Sequence, residues 1–124
     1  MEKEVMIVDD DPSVLQTCQK IISRNNIKVR TAKSGQECLK ELEKGFKGII
    51  LMDIIMPEMD GWDTIEEIVN RGYIKNVIIT MLTGKDQPGK KMDHLKEYVL
   101  DYIRKPFDAQ DLINLVKRYL SYIE

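Results

Sequence analysis

Short apolar runs alternate with amphipathic stretches along the whole chain. Val5-Met6-Ile7-Val8, Ile49-Ile50-Leu51-Met52 and Val77-Ile78-Ile79 are continuous apolar runs. Runs of this length, rich in β-branched residues, predict strands covered on both faces. Lys28-Val29-Arg30-Thr31-Ala32 alternates polar and apolar positions, as a half-exposed edge strand does. A weaker strand pattern runs from Val99 to Arg104.

Helix patterns fill the gaps. Asp11 followed by Pro12 suits a capped start with proline in the first turn, after which Val14, Cys18, Ile21 and Ile22 share a face. Ser34 and Glu37 have capping-box spacing, Leu39 and Leu42 follow, and Gly45 stops the pattern. Asp60 is placed to cap a helix carrying Ile65, Ile68 and Val69, which Gly72 closes. Asp108 is placed to cap a last helix with Leu112, Leu115, Val116, Tyr119 and Ile123 at helical spacing. The stretch 86–96 makes the poorest helix, because Pro88 and Gly89 interrupt its start. A strand–helix unit repeated five times predicts an α/β fold. A mostly parallel sheet would carry helices on both faces, as a three-layer α/β/α sandwich. Ligands in such sheets bind beyond the carboxyl ends of the strands.

Composition leaves that picture intact. With 124 residues, 43% hydrophobic and 32% charged, the chain has the balance of one soluble domain rather than a disordered segment. A net charge of -2 gives no basic field to attract nucleic acid or anionic lipid. No apolar stretch approaches the roughly 20 residues of a membrane span. Met1-Glu2-Lys3-Glu4 runs directly into the first strand, so no signal peptide is expected and a cytoplasmic location follows. Cys18 and Cys38 fall in helix patterns without metal-ligand spacing and read as small buried hydrophobes.

The strand ends carry the chemistry. Strand one leads into Asp9-Asp10-Asp11, strand three into Asp53, strand four into Thr83-Gly84 and strand five into Lys105-Pro106. The fold would gather carboxylates, a hydroxyl and an ammonium in one shallow pocket. Crowded carboxylates repel, and burial raises their pKa, so a hard divalent cation is needed to relieve them. Mg²⁺ prefers oxygen ligands and is commonly held by one or two carboxylates plus phosphate oxygens. Asp53 is then a candidate nucleophile for an aspartyl-phosphate, with Lys105 and Thr83 candidates for the phosphoryl oxygens.

The set Asp9-Asp10, Asp53 to Gly61 (Asp-Ile-Ile-Met-Pro-Glu-Met-Asp-Gly), Thr83-Gly84 and Lys105-Pro106-Phe107 resembles the response-regulator receiver family of two-component signalling, in order and spacing over nearly the whole chain. The resemblance implies the flavodoxin-like strand order 2-1-3-4-5 and Mg²⁺ as cofactor. Asp53 would be the phosphoacceptor. Asp10 would ligate the metal directly, Asp9 mainly through water, and the Ile55 carbonyl would complete the protein ligands. Thr83 would bond a phosphoryl oxygen, and Tyr102 would be the aromatic switch that turns inward behind it. Lys105 would pair with the phosphoryl group through a loop with a cis bond to Pro106, and Gly84 would keep access open. The implied partners are a sensor histidine kinase or phosphotransfer protein, and a downstream protein target. That target would be met by a face built from the fourth helix, fifth strand and last helix. The chain would act as a monomer or a phosphorylation-dependent dimer, with no direct contact to nucleic acid or membrane. It would be a switch rather than an enzyme, and residues 1–124 would form one receiver domain without an effector domain.

Two departures stand out. Where the family usually carries Gly-Ala before strand five, this chain has Tyr98-Val99 followed by Leu100. A short or shifted fourth helix is therefore expected. Ile55 and Lys85 sit at the positions that flank the hydrolytic water in the family, and a bulky apolar Ile55 predicts a long-lived aspartyl-phosphate. Two other readings are weaker. A haloacid-dehalogenase-like phosphatase needs a second aspartate two residues after the nucleophile, where Ile55 stands. A flavodoxin-like nucleotide binder needs a phosphate-cradling loop after strand one, where Asp9-Asp10-Asp11 would repel phosphate. The single histidine, His94, reads as a solvated helix residue, and Trp62, just past the Asp53 loop, as packing.

Overall fold

The computed structural model describes residues 4–84 and 90–123, and the side chains of 90–93 are left aside. Five strands form one parallel sheet in the order β2-β1-β3-β4-β5. They are β1 (Glu4–Val8), β2 (Val29–Ala32), β3 (Gly48–Asp53), β4 (Val77–Thr83) and β5 (Val99–Arg104). Among the described residues four α-helices pack on it: α1 (Pro12–Ser23), α2 (Gly35–Glu43), α3 (Gly61–Asn70) and α4 (Ala109–Tyr122). This is the expected three-layer sandwich.

Both faces of the central strands are covered, which explains their unbroken apolar sequences. Met6, Val8, Ile50, Met52, Ile79 and Met81 pack with residues of α2 and α3 such as Leu39, Ile65 and Ile68. Val5, Ile7, Ile49, Leu51 and Leu82 pack with residues of α1 and α4 such as Ile22, Leu112 and Val116. Each large side chain fully removed from water contributes about 1.5–3 kcal/mol, so β1 and β3 are the firmest base for loops at their ends. Cys18 and Cys38 lie on opposite sides of the sheet, both buried and unbridged, as expected. Edge strand β2 alternates because Arg30 reaches out to charge. Its Nε and Nη2 donate to Glu4 at 2.6 and 2.9 Å and its Nη1 donates to Glu41 at 3.0 Å.

The caps follow the sequence with one shift. Asp11, Ser34, Asp60 and Asp108 are all N-caps. Ser34 accepts from Glu37 N–H, but the Glu37 carboxylate accepts from Lys33 N–H at 3.0 Å, one residue earlier than a capping box requires. The complete box is Asp60 with Asp63.

The expected fourth helix is the main correction. Among its described residues the connection from β4 to β5 contains a 3₁₀ helix, Lys90–Tyr98, where an α-helix was expected. The tighter coil fits a segment that must enter β5 through Tyr98-Val99 without a glycine. Leu95, 3% exposed, anchors it on the α3 side. Pro88, Gly89 and Lys85 lie outside the described residues. Strand β5 then meets β4 irregularly: Ile79 pairs with Val99 and Thr80 with Asp101, so Leu100 has no partner.

Candidate functional site

Strands β1 and β3 are adjacent, so their ends bring Asp9 and Asp53 together. Asp9 is 1% exposed and Asp53 8%. Burial at this depth demands compensation. For Asp9 it comes from Asp11 N–H, donating at 2.9 Å, and from Lys105 Nζ, donating at 2.7 Å. Lys105 Nζ also lies 3.4 Å from Asp53 Oδ1. Carboxylate oxygens of Asp9, Asp10 and Asp53 all fall within 4.8 Å of one another. Among the described residues three carboxylates face one ammonium, which leaves them short of positive charge. Asp53 registers the shortfall: burial first, then repulsion from Asp9, pushes its carboxyl up to about 6, against the pull of Lys105. Burial pulls the Lys105 ammonium down, yet Asp9 and Asp53 more than offset it and hold it above its ordinary value.

Oxygen donors carrying excess negative charge fit Mg²⁺ or a similar hard divalent cation. The set is too small to close around the ion, so coordination positions stay free for water or a phosphate oxygen.

The loop from Asp53 to α3 is braced from below. Gly61 N–H donates to Ile54 O at 2.7 Å, and a Cβ at Gly61 would meet Asp53 O at 2.6 Å and Met81 Cε at 2.9 Å. Only glycine allows α3 to start this close to the Asp53 backbone. The sequence motif contained Gly61 but gave no reason for it. Its position just after the Asp60 cap was the available signal. Inside the loop Glu58 takes φ 68°, a left-handed conformation that costs a non-glycine residue energy. Ile55 points outward, 60% exposed.

Thr83 ends β4 half-buried, its hydroxyl donating to Gly84 O at 3.2 Å. A Cβ at Gly84 would meet no protein atom, so its small size leaves open space rather than relieving a contact. Lys105 N–H donates to Thr83 O at 2.7 Å, tying the β5 end to the β4 end, and the Lys105–Pro106 bond is cis, as expected. Tyr102 pairs with Met81 and is 38% exposed. Beside the pocket a groove of about 360 Å³ is lined by Ser13, Val14, Thr17, Lys105, Pro106 and Phe107. Trp62 is buried at 3%, and its indole N–H has no partner among the described residues. His94 is exposed on the 3₁₀ segment, its Nε2 3.6 Å from Glu66.

A family model described as the response regulator receiver domain matches residues 5–117. The chain belongs to that family. Among solved structures, a CheY-like response regulator receiver domain protein from Methanospirillum hungatei superposes with a TM-score of 0.94 at 44% identity, covering 99% of this chain and 98% of that one. The alkaline phosphatase synthesis transcriptional regulatory protein PhoP of Bacillus subtilis is 30% identical over the full chain, which spans 51% of that protein's length. Protein PilG of Pseudomonas aeruginosa is 28% identical over 94% of the chain and 87% of its own length. Receiver domains are signalling switches, and among the described residues no helix is long and apolar enough to cross a membrane.

Proposed function

We propose that the chain receives a phosphoryl group on Asp53 from the phosphohistidine of a sensor kinase or phosphotransfer protein, and that the modification alters a protein-binding face around β5. The observation that carries this reading is the charge imbalance around Asp53: a buried carboxylate beside Asp9 and Asp10, with Lys105 as the single counter-charge among the described residues.

Asp10 and Asp53 would hold Mg²⁺ with the Ile55 carbonyl, and Asp9 through water. The ion would neutralise the carboxylates and the incoming phosphoryl oxygens. Asp53 attacks phosphorus as the bond to the donor's imidazole nitrogen breaks, and the imidazole leaves with the electron pair. Lys105, now held by Asp9 at 2.7 Å, is 3.4 Å from Asp53 and can transfer its hydrogen bond to the new phosphoryl group. Thr83, whose hydroxyl donates to the neighbouring Gly84 carbonyl, would turn it to the same group. Space vacated by Thr83 lets Tyr102 move inward. The change is a shift between two states, driven by contacts that exist in only one of them. No acid two residues after Asp53 is available to turn the site into a phosphatase. A cytoplasmic location suits a kinase-fed switch.

Incubation with Mg²⁺ and acetyl phosphate should add one phosphoryl group to the intact mass of the wild type and none to Asp53→Asn. Equal labelling of both would overturn the reading.

A further inference from the structure

The irregular start of β5 has a consequence for the opposite face of the sheet. Regular alternation from Val99 would turn Leu100 toward α4 and Asp101 away from it. Because Leu100 drops out of register, Asp101 takes the place opposite Thr80, on the α4 side, and Leu100 is left 52% exposed. Asp101 then makes two hydrogen bonds. Its Oδ2 accepts from the hydroxyl of Tyr119 on α4 at 2.8 Å, and its Oδ1 accepts from the backbone N–H of Tyr102 at 2.8 Å. Lys105 N–H points at β4, and amides alternate along a strand, so the Tyr102 N–H faces the open edge, where Asp101 occupies it.

The other end of this bridge is well fixed. Tyr119 is 2% exposed, its ring packs 6.1 Å from that of Tyr122, and burial followed by the bond to Asp101 pushes its hydroxyl up to about 12. It therefore stays a neutral donor. Beside it lies the Thr80 hydroxyl, fully buried and without a well-formed hydrogen bond. Tyr119 thus has two oxygens within reach and satisfies only one. A buried polar group left without a partner costs free energy. A small displacement of β5 would let the Tyr119 hydroxyl exchange Asp101 for Thr80 and recover part of that cost.

We propose that Asp101 is a positioning residue that couples Tyr102 to α4, through the Tyr102 N–H–Asp101–Tyr119 bridge with Thr80 as its alternative partner. The proposal rests on the receiver reading. It assigns to α4 a response that begins at Asp53 and passes along β5, one residue from the aromatic position. Coupling of this kind needs an element with two discrete arrangements, which the paired acceptors supply.

The test is backbone hydrogen–deuterium exchange of the whole chain, with and without Mg²⁺ plus beryllofluoride, an anion that stands in for the phosphoryl group. Wild type is compared with Tyr119→Phe and Asp101→Asn. In the wild type, exchange within Ala109–Tyr122 should change on adding beryllofluoride. Tyr119→Phe should bind beryllofluoride with nearly wild-type affinity and lose most of that change. A merely structural prop would raise exchange in α4 equally with and without the anion and leave the difference intact. Asp101→Asn keeps an acceptor for Tyr102 N–H, and serves if Tyr119→Phe does not fold. Its α4 response should also be weakened. A full α4 response in either folded variant overturns the coupling, as does wild type that binds beryllofluoride without any change in α4. Failure of the wild type to bind beryllofluoride at all would instead overturn the receiver reading and the coupling with it.

Discussion

Removing the Asp53 charge should stabilise the metal-free protein. Asp53 is 8% exposed, and its carboxyl is pushed from 3.8 up to about 6, chiefly by burial and then by Asp9. In the unfolded chain neither cause operates, and an aspartate titrates near ~3.9. The folded state therefore binds this proton more tightly than the unfolded state. Stability is highest where Asp53 is protonated in both states, falls as pH rises from about 4 to about 6, and stays at its lower value above that. A shift of about two units at ~1.4 kcal/mol each is about 3 kcal/mol. Water at the open rim of the pocket lowers that to about 2 kcal/mol. Asp53→Asn keeps the shape, deletes the charge, and leaves Lys105 its bond to Asp9. Urea unfolding in EDTA at pH 8 should show the variant more stable by about 2 kcal/mol, and by about half as much at pH 5. Added Mg²⁺ should stabilise the wild type by mass action and the variant much less. A variant no more stable than wild type in EDTA at pH 8 would refute the reasoning, and so would a gain that does not shrink on acidification.

Protons and metal compete for the same carboxylate, so Mg²⁺ affinity, followed by Trp62 fluorescence or calorimetry, should weaken as pH falls through about 6; an affinity flat between pH 7 and 5 would count against it. Gly61→Ala places a Cβ against Asp53 O, which should cost about 1–3 kcal/mol in urea unfolding and weaken Mg²⁺ binding as the Asp53 loop shifts. Lys105→Ala should still accept phosphate from acetyl phosphate but lose the beryllofluoride-dependent change in exchange at β5 and α4. Ile55, 60% exposed two residues after Asp53, offers no polar atom from its side chain to orient water; after donor removal the proposed aspartyl-phosphate should decay severalfold faster in Ile55→Asn than in wild type.

Much of this architecture is legible in the sequence because the signals are local. The apolar runs of β1, β3 and β4, and the caps at Asp11, Ser34, Asp60 and Asp108, depend on residues a few positions apart. The grouping of the candidate site residues is legible for a different reason: a parallel sheet forces its strand ends to one rim, so Asp9, Asp53, Thr83 and Lys105 had to be near neighbours. What could not be read was how they pair. The Lys105–Asp9 contact spans 96 residues, and the choice of Asp9 over Asp53 depends on which carboxylate is deeper. The fourth connection was misjudged in kind, since a 3₁₀ helix and an α-helix share too similar a periodicity over one short segment. The unpaired Leu100 was equally hidden. A one-residue slip reverses which side chains face the core, and nothing in Val99-Leu100-Asp101 announces it. The Asp101–Tyr119 bond follows from that slip and was missed with it.

The central claim is that Asp53 is the residue that becomes phosphorylated. Protein treated with Mg²⁺ and acetyl phosphate can be reduced with borohydride, which converts an aspartyl-phosphate to homoserine, then digested and sequenced by mass spectrometry. Homoserine should replace aspartate at position 53 and at neither position 9 nor position 10. Conversion at another aspartate, or none in protein shown to be folded and to bind Mg²⁺, would contradict the account.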